Sequence, residues 1–275
     1  MQTLLDAIAS FWQIWSPNLI LDVGRYVIAA FGMALILKLF WNAGLGLRKI
    51  QARTASLVDV KREILTSLRT GVLFSLTGVG IVLGAMHGVF TIYLDFETAG
   101  VGYLAISLMA IIVAHDAYFY WTHRLMHHPR LYHFFHRTHH RSVTPTPFAA
   151  YAFDMPEALM MAGFTPLWLS LVPMHALGLF LFMAFMIVRN VMGHAGVELM
   201  PRALADSHWF GWINATTHHD LHHSSFHYNY GLYFTWWDRM MGTEHPRYRE
   251  QLRGKPADDV ATATTNAARA AVVAS

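Results

Sequence analysis

The 275-residue chain contains no cysteine. Disulfide frameworks, thiolate-ligated haem, cysteine-ligated iron–sulfur clusters and cysteine nucleophiles are excluded together. Charge is scarce as well: 13% of residues are charged, 55% are hydrophobic, and the mean hydropathy is +0.33. Soluble domains carry about a quarter charged residues, so this apolar excess calls for a bilayer as solvent. The basic residues behind the pI of 9.2 gather on no soluble module, so they read as membrane topology and no nucleic-acid partner is expected. No basic leader or small-residue cleavage site marks a signal peptide. No linker composition divides the chain, and no internal repeat is visible.

Long apolar runs are what the chain does have. Residues 1–22, with Asp6 and Ser10 interrupting the apolar start and Trp12 and Trp15 suited to headgroup depth, read as an interfacial segment. Residues 23–121 hold three expected spans, Val23–Trp41, Gly71–Leu94 and Val101–Trp121, each long enough to cross at 1.5 Å per residue. A fourth apolar region lies within residues 122–253. It covers about 158–191, is broken by Pro166 and Pro173, and reads as a membrane hairpin that returns to its starting side. The tail 254–275, rich in Ala and Thr, reads as disordered. Between the first two spans stand Arg48, Lys49, Arg53, Lys61, Arg62 and Arg69, whereas the loop after the second holds Asp95 and Glu97. The positive-inside rule makes the first segment cytoplasmic. The third span then returns to the cytoplasm where the histidines begin.

Histidine is over-represented: there are 18, and all but His87 lie between His115 and His245. His123 and His127 are four apart on a continued helix and share a face. His136, His139 and His140 repeat that spacing, as do His219, His222 and His223. A lone His-x-x-x-His pair means little, but three such sets on one membrane face point to metal. Imidazole suits iron, zinc, copper or nickel, and these eight exceed what one ion can use, so two ions are expected. Unpaired polar groups at a membrane edge are costly and usually functional. No Glu-x-x-His pair of the soluble di-iron bundles occurs at the clusters. Asp116 and Asp220 are therefore cast as carboxylates that orient an imidazole N–H. His87, His175 and His245 read as interfacial or loop residues; His115, His128, His133, His208, His218 and His227 are left open. The fold expected is an all-α integral membrane protein. About four transmembrane or re-entrant segments would carry a cytosolic helical cap with a dimetal site.

The ordered set of one His-x-x-x-His and two His-x-x-His-His motifs resembles the fatty acid hydroxylase superfamily, which includes the sterol desaturases, over roughly Asp116–Thr243. Tyr120–Arg124, Pro145–Ala149, His194-Ala-Gly196-Val-Glu198, Asn229-Tyr-Gly231, Trp237-Asp238-Arg239 and Gly242-Thr243 are similar to further family elements, most of all those of C-5 sterol desaturases. Tyr151 and Asp154 depart from the histidines those enzymes carry there, and the first third of the chain aligns with no motif. The resemblance implies nine ligands: His123, His127, His136, His139, His140, His194, His219, His222 and His223. It adds His218 as a candidate tenth. It implies a non-haem pair of iron ions, replaceable by zinc or another metal on purification, and dioxygen-dependent desaturation or hydroxylation of a membrane lipid. Neither a dinucleotide fingerprint nor a haem domain is present, so a cytochrome b-type protein, or ferredoxin with its reductase, would supply electrons. Arg124, Arg130, Arg137 and Arg141 could dock an acidic donor. A hydroxylase of fatty acyl, sphingoid or carotenoid substrates is the near alternative. Metal transport or storage is the distant one, disfavoured because the histidines gather at span ends and not along the spans. A metal-dependent hydrolase would need a water-activating carboxylate and an open position.

Overall fold

Helix dominates the computed structural model, which describes residues 2–205, 207 and 209–254. His208 and, past Gly254, the expected tail lie outside the described residues. Helix α1 runs unbroken from Gln2 to Asn42, and Ile8–Asn42 within it is apolar enough to cross a membrane. The break expected at residue 22 is therefore not seen. Ser10 Oγ donates to the Asp6 carbonyl one turn back, so the polar pair continues the helix. Pro17 removes one ladder bond, a loss that membrane helices tolerate.

A two-residue strand β1 (Arg48–Lys49) precedes α2 (Leu57–Met86). Ser56 and Asp59 close a reciprocal capping box at its start. That cap lets α2 begin well before the apolar run expected from Gly71, so Lys61, Arg62 and Arg69 are helical and not loop. Strand β2 (Ile92–Tyr93) leads to α3 (Gly100–Met126), which continues past Trp121 and keeps His123 in helix. Two single turns follow, α4 (Tyr132–Phe135) and α5 (Arg137–His140), then a 3-10 turn over Pro147–Tyr151.

The expected hairpin is α6 (Met155–Leu169), β3 (Met174–His175) and α7 (Ala176–Gly193). Its turn pairs in parallel with the α2–α3 loop, Ile92 opposite Met174 and Tyr93 opposite His175. The hairpin thus extends to the end of the bundle opposite the histidines. His175, expected to be a bystander, caps α7 through Nδ1, which accepts the Leu177 amide at 2.9 Å. Strand β4 (Val197–Glu198) pairs antiparallel with β1, and α8 (Arg202–Ala205), α9 (Thr216–Ser225), α10 (Trp236–Met240) and α11 (Tyr248–Leu252) complete the cap.

Four helices, α1, α2, α3 and α7, are long and apolar enough to span a bilayer. Side chains such as Ile20 and Ile28 are 71% and 77% exposed on α1. So much open aliphatic surface on one helix fits a lipid-facing wall. Inside, α3, α6 and α7 pack through Ile111, Phe164 and Phe182 onto the C-terminal loop at Tyr233. Tyr26 of α1 and Ile187 and Val191 of α7 pack onto Tyr151 and Phe153.

Candidate metal centre

Each histidine set is delivered by a helix end. His123 and His127 close α3, and His136 precedes α5, which carries His139 and His140. His194 caps the C-terminus of α7, while His219, His222 and His223 lie along α9. Consecutive residues on a helix point about 100° apart, so the adjacent pairs 139/140 and 222/223 cannot serve one centre. They divide. His123, His127, His136, His140 and His222 form one group, His139, His194, His219 and His223 the other, with ligand atoms inside each group within 4.8 Å of one another. All nine histidines expected as ligands fall in these two groups.

The Nε2 atoms converge. His123 and His136 approach to 2.9 Å, His140 lies 3.1 Å from His127 and 3.0 Å from His222. In the second group His219 stands 3.0 Å from His194 and 3.1 Å from His223, with His194 to His139 at 3.4 Å. Metal–imidazole bonds of about 2.0–2.1 Å put neighbouring ligands of one ion about 2.8–3.4 Å apart. The spacings fit two ions. Protonation states agree. His123 Nδ1 donates to the Tyr230 carbonyl at 2.8 Å, His222 Nδ1 to Tyr228 at 2.7 Å and His194 Nδ1 to Asn190 at 2.8 Å. With Nδ1 committed as donor, each Nε2 turns a lone pair inward. A cation set among the Nε2 atoms would take up these lone pairs together.

Burial, reinforced by crowding with other imidazoles, holds the His136, His139, His140, His219, His222 and His223 pKa values well below the usual range. Burial likewise takes His127 to about 2 and His194 to about 4. The rings are therefore neutral, the state a metal ligand needs.

The remaining expected residues meet other partners. His218 joins neither group; its Nε2 lies 3.3 Å from Asp238 Oδ2. Asp116 accepts from the amides of Tyr233 and Phe234 and from Trp236 Nε1, and so anchors the C-terminal loop to α3. Asp220 accepts from Gln51 Nε2 at 3.0 Å through both oxygens, tying α9 to the segment before α2. Neither carboxylate touches a ligand ring; Glu157 does. Its Oε1 lies 2.8 Å from His136 Nδ1, at hydrogen-bond distance though without the alignment of a hydrogen bond. Glu157 sits one residue past Pro156, where a helix-start acid is unremarkable, so sequence spacing offered no signal for it. Asp154, at a family departure, accepts from the Thr138 amide and hydroxyl and so steadies α5. His115 bonds Tyr233 Oη through Nδ1 at 2.9 Å. His128 and His133 stay at the surface, as does His227.

The C-terminal motif also acquires a role. Asp238 accepts from the amides of Tyr230 and Gly231 and from Thr243 Oγ1. Burial opposes its ionisation, but contact with His218 and these donors outweighs it, and its pKa falls below the ordinary 3.8. A Cβ on Gly231 would lie 2.6 Å from the Phe234 carbonyl, so only glycine fits. Asp238 thus fixes the loop whose carbonyls at Tyr228 and Tyr230 orient His222 and His123.

Beside the two groups lies an apolar cavity of about 270 Å³ among α1, α2, α3, α6 and α7. Its wall includes Phe119, 5.0 Å ring to ring from His123, and Phe153, 5.4 Å from His139. One side chain from the cavity therefore touches each metal group.

This is the architecture of a helical membrane protein whose nine clustered histidines adjoin an apolar cavity. Residues 108–243 match the fatty acid hydroxylase family model, which identifies that region of the chain as a fatty acid hydroxylase domain. A Delta(7)-sterol 5(6)-desaturase of Gibberella zeae is 34% identical over 187 residues, which cover 67% of this chain and 56% of that one. The lathosterol oxidase of Mus musculus is 31% identical over 194 residues, covering 68% and 62%. That of Homo sapiens is 30% identical over 190 residues, covering 67% and 61%. The match therefore spans about three-fifths of the length of these curated relatives. No solved structure matches.

Proposed function

We propose that the protein is a membrane oxidoreductase that uses two iron ions and dioxygen to oxidise an unactivated C–H bond of a lipid, in the manner of a sterol desaturase. The observation that carries this reading is the pair of converging imidazole groups set against an apolar cavity. A redox metal supplies, when bound, the oxygen chemistry that no side chain can perform on such a bond. The chain's own residues do the rest. Nine neutral imidazoles hold the ions, and Glu157 with the carbonyls of Asn190, Tyr228 and Tyr230 keeps four rings aimed. Phe119 and Phe153 present a dry wall to the substrate. Sterols suit the reading because the relatives named above are a sterol desaturase and lathosterol oxidases.

The active site is assigned to the cytoplasmic face, where Arg130, Arg137 and Arg141 are exposed beside the histidines. Such a rim suits an acidic electron-donor protein, a cytochrome b-type protein or a ferredoxin. The test is metal analysis of the purified protein joined to lipid analysis of cells with and without it. Two irons per chain and a lipid lighter by two hydrogens support desaturation; a lipid heavier by one oxygen supports hydroxylation. Iron-free protein, or unchanged lipids with a competent donor present, would sink the proposal.

A further inference from the structure

The cavity is largely apolar, with Thr77, His115, Tyr151, Thr165 and Asn190 as isolated polar points, and the carboxylate and the guanidinium in its wall both stand on α1. There Asn18, Asp22 and Arg25, at i, i+4 and i+7 on one helix face, line it. Asp22 and Arg25 are ion-paired with each other near the middle of the apolar stretch Ile8–Asn42. Ionisable residues at that depth are costly, and where they occur they mark a site that something polar visits. Packing alone does not account for them. Arg25 Nε is buried with no hydrogen-bond partner. Asn18 Nδ2 is spent on the Ile14 carbonyl, which leaves its Oδ1 as an acceptor beside Thr77 and Gly78 in the same cavity wall. At Gly78 a Cβ would come within 2.5 Å of that Oδ1, so the small residue makes room for the amide.

The cavity has length as well as polarity. Along α7 it extends from Asn190, whose carbonyl orients the ligand His194, back to Leu179. Eleven residues of helix cover about 16 Å. A rod-shaped lipid lying in it meets Phe119 and Phe153 at the metal groups and the α1 polar face on its flank.

We infer that Asp22 and Arg25, with Asn18, form a hydroxyl-recognition site that selects a lipid alcohol and sets which of its carbons faces the metal pair. The pair's net neutrality decides the class of ligand. A carboxylate or phosphate would place a second anion beside Asp22, whereas a hydroxyl donates its proton to the carboxylate and accepts from the guanidinium. The site lies outside residues 108–243, in the part of the chain that carries no family motif. The inference takes its meaning from the lipid-oxidase reading but is measured without it.

Binding to the full-length protein in nanodiscs is the test, with 5α-cholestan-3β-ol as probe beside its 3-methyl ether, the parent hydrocarbon 5α-cholestane and palmitic acid. The wild type should bind the alcohol about tenfold or more tighter than the hydrocarbon, the worth of a charge-assisted hydrogen bond. The ether, which cannot donate, should bind like the hydrocarbon. Asp22→Asn and Arg25→Gln should shrink the alcohol's advantage below about threefold with hydrocarbon affinity and metal content unchanged, and Arg25→Lys should restore part of it. Equal wild-type affinity for alcohol, ether and hydrocarbon would overturn the inference without any variant, as would preference for palmitate. An undiminished preference in folded Asp22→Asn and Arg25→Gln would overturn it too. Iron-free protein or unchanged cellular lipids would defeat the oxidase reading alone, since the binding series needs neither.

Discussion

At His123 and His136 two imidazole nitrogens stand 2.9 Å apart, close enough to share one cation. From this follows a graded expectation for substitutions. His139→Ala or His222→Ala removes a ligand from one group or the other and should abolish lipid oxidation, with loss of metal seen by elemental analysis; a fully active variant would refute the ligand set. Glu157→Gln keeps every ligand but withdraws the carboxylate beside His136 Nδ1. Metal affinity should fall about 10–100-fold, the usual effect of removing a ligand's outer partner. Competition with a chelator of known affinity measures it, and an unchanged affinity would leave Glu157 a buried acid without function in the site. Eight of the clustered histidines were legible because they repeat at helical spacing, whereas His194, a lone histidine, was implied only by the family resemblance. Their division into two groups follows from the same 100° step once the tandem pairs are considered. Glu157 and the aiming carbonyls were not legible, because a carbonyl has no sequence signature and one acid at a helix start is commonplace.

Among elements, the loop over residues 226–235 matters most, since it has little regular structure and yet orients two of the clustered histidines, His123 and His222. It is held from two sides, by Asp238 from α10 and by Asp116 from α3. Asp238→Ala orphans two buried amides, while Thr243 Oγ1 keeps its bond with Tyr120 Oη. Each orphaned group costs about 1–3 kcal/mol, so a loss of at least roughly 2 kcal/mol is expected, read as a lowered Tm together with reduced metal occupancy. The pH dependence has a definite sign. The folded-state pKa of Asp238 lies below its ordinary 3.8. Its contribution is therefore complete above that ordinary value and is lost as pH falls through the depressed one. Comparing the Tm of wild type and Asp238→Asn across the acid range isolates it, because metal release from the imidazoles is common to both. The wild type should fall more steeply below about pH 4; parallel curves would show that the carboxylate is not what holds the loop. Element boundaries show where sequence reading stops. Apolar runs located the spans, but α2 starts and α3 ends outside the apolar run, because a capping box at the start of α2 and basic residues in the last turn of α3 extend each helix beyond the part that lipid requires.

For the whole molecule, the absent cysteine becomes an experimental handle, since any introduced thiol is unique. The far end of the bundle joins two turns by the pairing of β2 with β3, and neither the 87–99 loop nor the 170–175 turn contains Lys or Arg. The metal end carries Arg53, Arg130, Arg137 and Arg141, all exposed. The positive-inside rule assigns the metal end to the cytoplasm, and the strand pairing requires the hairpin turn to share the opposite side with the α2–α3 loop. Single variants Arg53→Cys, Val89→Cys and Ser170→Cys, all at exposed positions, test both statements with a membrane-impermeant maleimide. On sealed, right-side-out vesicles Val89→Cys and Ser170→Cys should label and Arg53→Cys should not; inverted vesicles should give the reverse. Labelling of Ser170→Cys together with Arg53→Cys would mean that the hairpin re-enters without reaching the far side. Labelling of all three from the wrong side would keep the fold and reverse its orientation, moving the arginine rim, and with it any cytosolic electron donor, out of reach of the site.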